Sequence, residues 1–129
     1  MSGSGRVSTG SGVLSDEGVS WSARAEDAVG VSPEELIAAA HATCVSMALA
    51  NGLAQAGHPP TRLETDAVAT LDQREGGFRI TSMRLSVRGQ VDGIDEDEFR
   101  AAAEEAKAGC PVSHALVGNV EITLDASLG

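Results

Sequence analysis

Ser32-Pro33-Glu34-Glu35-Leu36-Ile37-Ala38-Ala39-Ala40-His41-Ala42-Thr43-Cys44 is the stretch that decides the fold. Ser32 suits a helix N-cap. Pro33 suits the first helical position, where its missing N–H would go unpaired anyway, and Glu35 stands where a capping box needs it. The helix is expected to run to Gly57, a residue able to take the left-handed backbone of a terminator. Ile37, Ala40, Cys44, Met47 and Ala48 follow a three-and-four spacing that predicts one buried stripe. Ala38, Ala39, Ala42, Ala50 and Ala54 keep the remaining surface small, so the helix should be central, with neighbours on several sides.

Strands are expected on either side of it. Val19, Trp21, Ala23 and Ala25 alternate with polar residues in the period of a half-buried strand, and an earlier strand is sketched over residues 6–14. The glycines there, Gly10 and Gly12, lack the strand-to-helix switch of a nucleotide-binding loop. After His58-Pro59-Pro60, Leu63 to Leu71 alternate, Arg74-Glu75-Gly76-Gly77 turns, and Phe78 to Val87 return. Phe78 and Ile80 keep one phase while Met83, Leu85 and Val87 keep the other, which predicts a bulge near Ser82. Asp95 and Glu98 form a second capping box for a helix to about Ala108, and Gly109 ends it. Pro111 starts a short helix to about Leu116, and Val120 to Leu128 form a last strand. The expectation is one α+β domain over residues 1–129.

The chain holds 129 residues, 42% of them hydrophobic, with no Tyr, one Trp and two Phe, so its core must be aliphatic and alanine-rich. A net charge of −10 repels phosphate backbones and anionic lipid. Nucleic acid and membrane surfaces are therefore not expected partners. Met1 to Gly12 carry no secretion-signal pattern, and no run is read as approaching the ~18 apolar residues of a membrane span. A cytoplasmic protein is expected, in whose reducing surroundings the two cysteines rest as free thiols.

Those two cysteines carry the chemistry. Cys110 sits in Ala108-Gly109-Cys110-Pro111-Val112, at the start of a helix, where backbone N–H groups favour a thiolate. Spacing alone therefore nominates Cys110 as the reactive thiol. Cys44, three turns into its helix and lined by alanine, needs an external positive charge to ionise, and on spacing alone reads first as a small core residue. Arginine is the best source of that charge. Glu34, about 15 Å along the helix and about 80° around it from Cys44, could clamp such an arginine. Arg24 is the candidate, with Arg6 in reserve, although singly Glu34 also fits a first-turn acid and Arg24 a solvated strand residue. A Cys2His2 metal site from His41, Cys44, Cys110 and His114 is weak, lacking the usual close cysteine spacing. His58 reads as a helix-end residue, the acidic run Asp92 to Glu98 as a solvated helix start, and Met47 and Met83 as core.

The quoted stretch, with Ser46-Met47-Ala48-Leu49, Lys107-Ala108-Gly109-Cys110-Pro111-Val112-Ser113 and Val120-Glu121-Ile122-Thr123-Leu124, closely resembles the OsmC branch of the OsmC/Ohr hydroperoxide reductases. The likeness extends to Arg6-Val7-Ser8-Thr9, Ser11-Gly12-Val13-Leu14 and Gly77-Phe78-Arg79-Ile80-Thr81. It implies an OsmC-like fold, an antiparallel sheet wrapped around a long central helix, in an intertwined homodimer with sites at the interface. Relatives carry a further strand before Arg6-Val7-Ser8-Thr9, so the expected sheet lacks that N-terminal edge strand. The resemblance further implies a peroxidase without metal or other cofactor, acting on organic hydroperoxides and less efficiently on hydrogen peroxide. In that scheme Cys44 is the peroxidatic thiolate and Cys110 closes a disulfide with it. Arg24, held by Glu34, activates the sulfur, and a small or lipoyl-type dithiol is the reductant. The alternative is a non-catalytic dimeric thiol or ligand-binding module on the same scaffold.

Overall fold

The structure, a computed structural model, describes residues 3–24 and 30–129. Its contacts divide into two compact units, one up to Ile37 and one from Ala38 onward.

In the first unit β1 (Ser4–Val7) pairs antiparallel with β2 (Glu17–Ser20), Gly5 opposite Val19. The link between them is stitched by Thr9 N–H to the Leu14 carbonyl (2.9 Å) and Asp16 N–H to Ser8 Oγ (2.9 Å). Asp16 takes the left-handed backbone there (φ 56°), which aspartate tolerates better than most residues. The strand expected through Ala23 stops at Ser20, and Trp21–Arg24 form a 3₁₀ turn instead. The ladder ends because β1 is only four residues long, its last bond running from Trp21 N–H to the Gly3 carbonyl (2.9 Å). Ala25, the last residue of that expected alternation, lies outside the described residues. The earlier strand is likewise displaced from residues 6–14 to Ser4–Val7.

Helix α1 (Pro33–Gln55) starts as its sequence dictates, with Ser32 Oγ accepting the Glu35 N–H at 3.1 Å. It stops at a Schellman motif: His58 N–H bonds the Leu53 carbonyl (2.8 Å) and Gly57 N–H the Ala54 carbonyl (3.0 Å), with Gly57 at φ 89°. The buried stripe is Ala38, His41, Val45, Leu49 and Leu53. It lies about one residue from the expected phase, and Met47 is 68% exposed rather than core. With alanine on every side the period carries little phase information, so the larger Val45, Leu49 and Leu53 decide which face is buried. By length and mean hydropathy (1.5) this helix also reaches the measure of a membrane span, one that a core helix meets as well. Here its apolar side chains serve the core of the second unit, where Ser46 Oγ donates to Thr65 Oγ1 at 2.7 Å.

The second unit adds β3 (Arg62–Arg74), β4 (Gly77–Gln90), α2 (Glu96–Gly109), α3 (Pro111–Leu116) and β5 (Glu121–Leu128). β3 and β4 form a long hairpin around Glu75 and Gly76, with a register shift that leaves Thr81 as the extra residue, one position from the bulge expected near Ser82. The sheet order is β3-β4-β5, and β5 runs parallel to β4, so the sheet is mixed rather than wholly antiparallel. The α2–α3 crossover returns the chain to the same end of the sheet, a connection parallel strands require. Asp95 and Glu98 close a full capping box at α2 (2.9 and 2.8 Å). Its buried face, Phe99, Ala103 and Ala106, completes a core with Met83, Leu85 and Val87 of β4. Arg100 Nε donates to the Ala126 carbonyl (3.2 Å) and Glu96 accepts the Leu128 N–H (3.0 Å), which ties α2 to β5.

Candidate active site

Helix α2 ends at Gly109, and Cys110 leaves it in an extended conformation (φ −72°, ψ 125°), serving both as C-cap of α2 and as N-cap of α3. Pro111 then restarts the helix. The corner leaves the Cys110 sulfur facing the N–H groups of Val112 and Ser113. Cys44, on α1, meets it there. Both thiols are free and within hydrogen-bonding reach of each other, Cys110 fully buried and Cys44 partly exposed.

The environment separates the two sulfurs electrically. Burial opposes ionisation of Cys110, but the thiol of Cys44, the N–H and hydroxyl of Ser113 and the N–H of Val112 outweigh it, so its pKa falls below the ordinary thiol value. Burial pushes Cys44 up, and its position as donor to Cys110 pushes it further. The first proton to leave the pair therefore leaves the anion at Cys110, the sulfur that helix-start spacing nominates. Two hydrogen-bonded thiols lose protons as a unit, so the one left in the pair can sit on either sulfur.

Behind Cys110 lies a contact with no counterpart in the sequence reading. His41 on α1 is fully buried, and its Nε2 lies 2.7 Å from the Oγ of buried Ser113. Burial lowers the His41 pKa, so the ring is neutral. The other two histidines are engaged through backbone: His114 Nε2 donates to the Ala108 carbonyl (2.7 Å), and His58 Nδ1 lies 3.2 Å from the Asp92 carbonyl. Among the described residues no three His, Cys, Asp or Glu side chains gather as metal ligands.

The first unit holds the candidate arginine. Arg24 Nε lies 3.1 Å from Glu34 Oε1, the carboxylate side chain only 9% exposed. The guanidinium also stands over the Trp21 ring, 4.9 Å from its centroid, an attractive stacking. Carboxylate and ring together hold the planar head. Beside it runs an open groove of about 590 Å³, walled by Val19, Trp21, Arg24 and Pro33. Arg6, the reserve, is exposed, its Nη1 donating to the Asp16 carbonyl at 2.7 Å and its Nε 3.5 Å from the Asp16 carboxylate.

Sequence reasoning passed over Trp21 and Ser113. A signal existed for each: Trp21 precedes Arg24 by one helical turn, a spacing hidden by reading strand there, and Ser113 follows Cys110 by three, where a hydroxyl can turn back to a helix start.

Fold and thiols together define an α+β protein with a paired, reduced dithiol. Comparison with known proteins makes this specific. The sequence profile described as OsmC-like protein matches residues 25–125. The chain is 48% identical over 126 residues to the Escherichia coli K12 protein named Peroxiredoxin OsmC, covering 98% of this chain and 87% of that one. It is 33% identical over 96 residues to the organic hydroperoxide resistance protein of Xanthomonas axonopodis pv. citri, 74% of this chain and 66% of that one. The crystal structure of the organic hydroperoxide resistance protein OhrB of Bacillus subtilis superposes with a TM-score of 0.77 at 26% identity, over 98% of both chains. The chain belongs to the OsmC-like protein family.

Proposed function

We propose that this chain is a cysteine-based peroxidase that reduces organic hydroperoxides and, less efficiently, hydrogen peroxide. The observation that carries the reading is the pairing of an accessible thiol, Cys44, with a buried one, Cys110, without a disulfide between them. Only the accessible sulfur can meet a hydroperoxide. The names of the relatives, Peroxiredoxin OsmC and organic hydroperoxide resistance protein, support the same chemistry.

In this reading Cys110 takes the Cys44 proton across the thiol pair, and the Cys44 thiolate attacks the terminal peroxide oxygen. The O–O bond breaks, Cys44 becomes a sulfenic acid, and the leaving alkoxide takes the proton from Cys110, which gives the alcohol and returns Cys110 to the thiolate. Cys110 then attacks the Cys44 sulfur, the S–O bond breaks, and hydroxide leaves and is protonated to water. A small or lipoyl-type dithiol reduces the disulfide. By family likeness, Arg24, held by Glu34, supplies positive charge to the thiolate and the peroxide. The active form is a homodimer in the cytoplasm. The profile match spans Ile37, where the two compact units meet in sequence, which supports one OsmC-like domain over residues 1–129.

The test is hydroperoxide consumption with a dithiol reductant. Wild-type protein should turn over repeatedly, Cys44→Ser should be inactive, and Cys110→Ser should accumulate sulfenic acid. Full turnover by Cys44→Ser would remove the proposal.

A further inference from the structure

Among the described residues, His41 is the one buried titratable side chain that this scheme leaves idle. Its residue is fully buried, its Nε2 is 2.7 Å from Ser113 Oγ, and its Nδ1 has no hydrogen-bond partner. A neutral imidazole carries one N–H. Placed on Nδ1, that proton would be a buried donor without an acceptor, which folded proteins rarely tolerate, whereas a bare ring nitrogen is a milder omission. The proton therefore belongs on Nε2, and His41 donates to Ser113. A hydroxyl has one proton, so Ser113, already accepting from His41, is free to aim its own at the Cys110 sulfur one turn back.

We infer that His41 is a positioning residue for Cys110, acting through the Ser113 hydroxyl, whose proton it directs onto the Cys110 sulfur. The inference rests on the reading of Cys110 as the resolving cysteine. Its consequence is that Cys110 is held as a thiolate when Cys44 becomes a sulfenic acid: the S–S bond forms as the Cys44 S–O bond breaks, and the leaving hydroxide takes a proton from a buffer acid in the solvent to become water. Other titratable groups nearby are occupied, Lys107 of α2 with Glu104 (2.7 Å) and His114 of α3 with the Ala108 carbonyl, leaving Cys44 and His41 on α1 as the neighbours that face Cys110.

The test is a pH titration of thiolate absorbance near 240 nm. The chain contains no Tyr, so phenolate does not obscure it. In a Cys44→Ser background only Cys110 titrates. There Ser113→Ala should raise the midpoint by about one pH unit or more, as loss of a hydrogen bond to a charged acceptor implies. His41→Met should raise it by about half as much, and His41→Gln, which keeps an N–H near the Nε2 position, should restore it. With Cys44 present, Ser113→Ala should slow disulfide closure at neutral pH about tenfold. Unchanged midpoints in Ser113→Ala and His41→Met would overturn the inference, and Ser113→Ala retains the test if His41→Met does not fold. Because the titration requires no turnover, it stands apart from the peroxidase reading, which fails separately if hydroperoxide leaves the wild-type thiols unchanged.

Discussion

Gly89→Ala tests how strictly the fold sets the thiol corner. Gly89 of β4 lies under the fully buried ring of Phe99, in the first turns of α2. A Cβ there would sit 2.5 and 2.6 Å from two ring carbons of Phe99 and 3.2 Å from Cδ2 of Leu63. Carbon atoms in contact stand about 3.5–4.0 Å apart, so the ring must retreat by about 1 Å or more. It has nowhere to go without moving α2, whose last residue precedes Cys110. Overpacking of this kind costs about 1–3 kcal/mol, or about 3–12 °C in Tm for a domain of this size. A shift of about 1 Å in a reacting group can slow a step about a hundredfold, so disulfide closure in Gly89→Ala should lag more than stability alone explains. Calorimetry and the rate of thiol loss after one hydroperoxide pulse measure the two effects. A Tm within about 1 °C of wild type, with an unchanged closure rate, would refute the reasoning.

Two further outcomes are expected. Glu34→Gln removes the carboxylate that orients Arg24 but keeps its shape. It should cost about 1 kcal/mol of stability and lower hydroperoxide turnover about tenfold or more, and wild-type turnover would show that the clamp has no part in the reaction. Burial lowers the His41 pKa from its ordinary 6.5. The unfolded chain then binds a proton that the folded chain refuses, so this contribution to stability is whole above pH 6.5 and is lost as pH falls below it. Urea midpoints should drop between about pH 7 and pH 5 in wild type and drop less in His41→Gln. Equal slopes would contradict this.

Local chemistry made the helix ends legible. Ser32, Pro33, Gly57, Asp95, Glu98 and Pro111 each act over one turn, so their meaning survives without knowledge of the tertiary fold. The α1 stripe was less legible, because alanine fits a core or a surface equally and the decision fell to Val45, Leu49 and Leu53. The 3₁₀ turn at Trp21–Arg24 was hidden because alternation over a few residues looks the same until a pairing partner runs out. Nor did the alternation of Val120 to Leu128 tell whether that strand runs parallel or antiparallel, since side chains alternate in both.

The site divides in the same way. Helix-start chemistry at Cys110 could be read from Gly109 and Pro111, and the Val112 and Ser113 N–H groups that favour the anion there have that origin, whereas the larger contribution of the Cys44 thiol does not. The meeting of Cys44 with Cys110 follows from α1 and the α2–α3 corner packing together, which no local pattern encodes, and only family likeness pointed to it. The His41–Ser113 bond joins residues 72 positions apart in the chain and left no trace in either segment.

Peptide mapping after substoichiometric organic hydroperoxide addresses the central claim most directly. The account predicts a Cys44–Cys110 disulfide within a single chain, reversed by dithiol, and a lone Cys44 sulfenic acid in Cys110→Ser. Oxidation that spares Cys44, or that links Cys44 only to another chain, would contradict it.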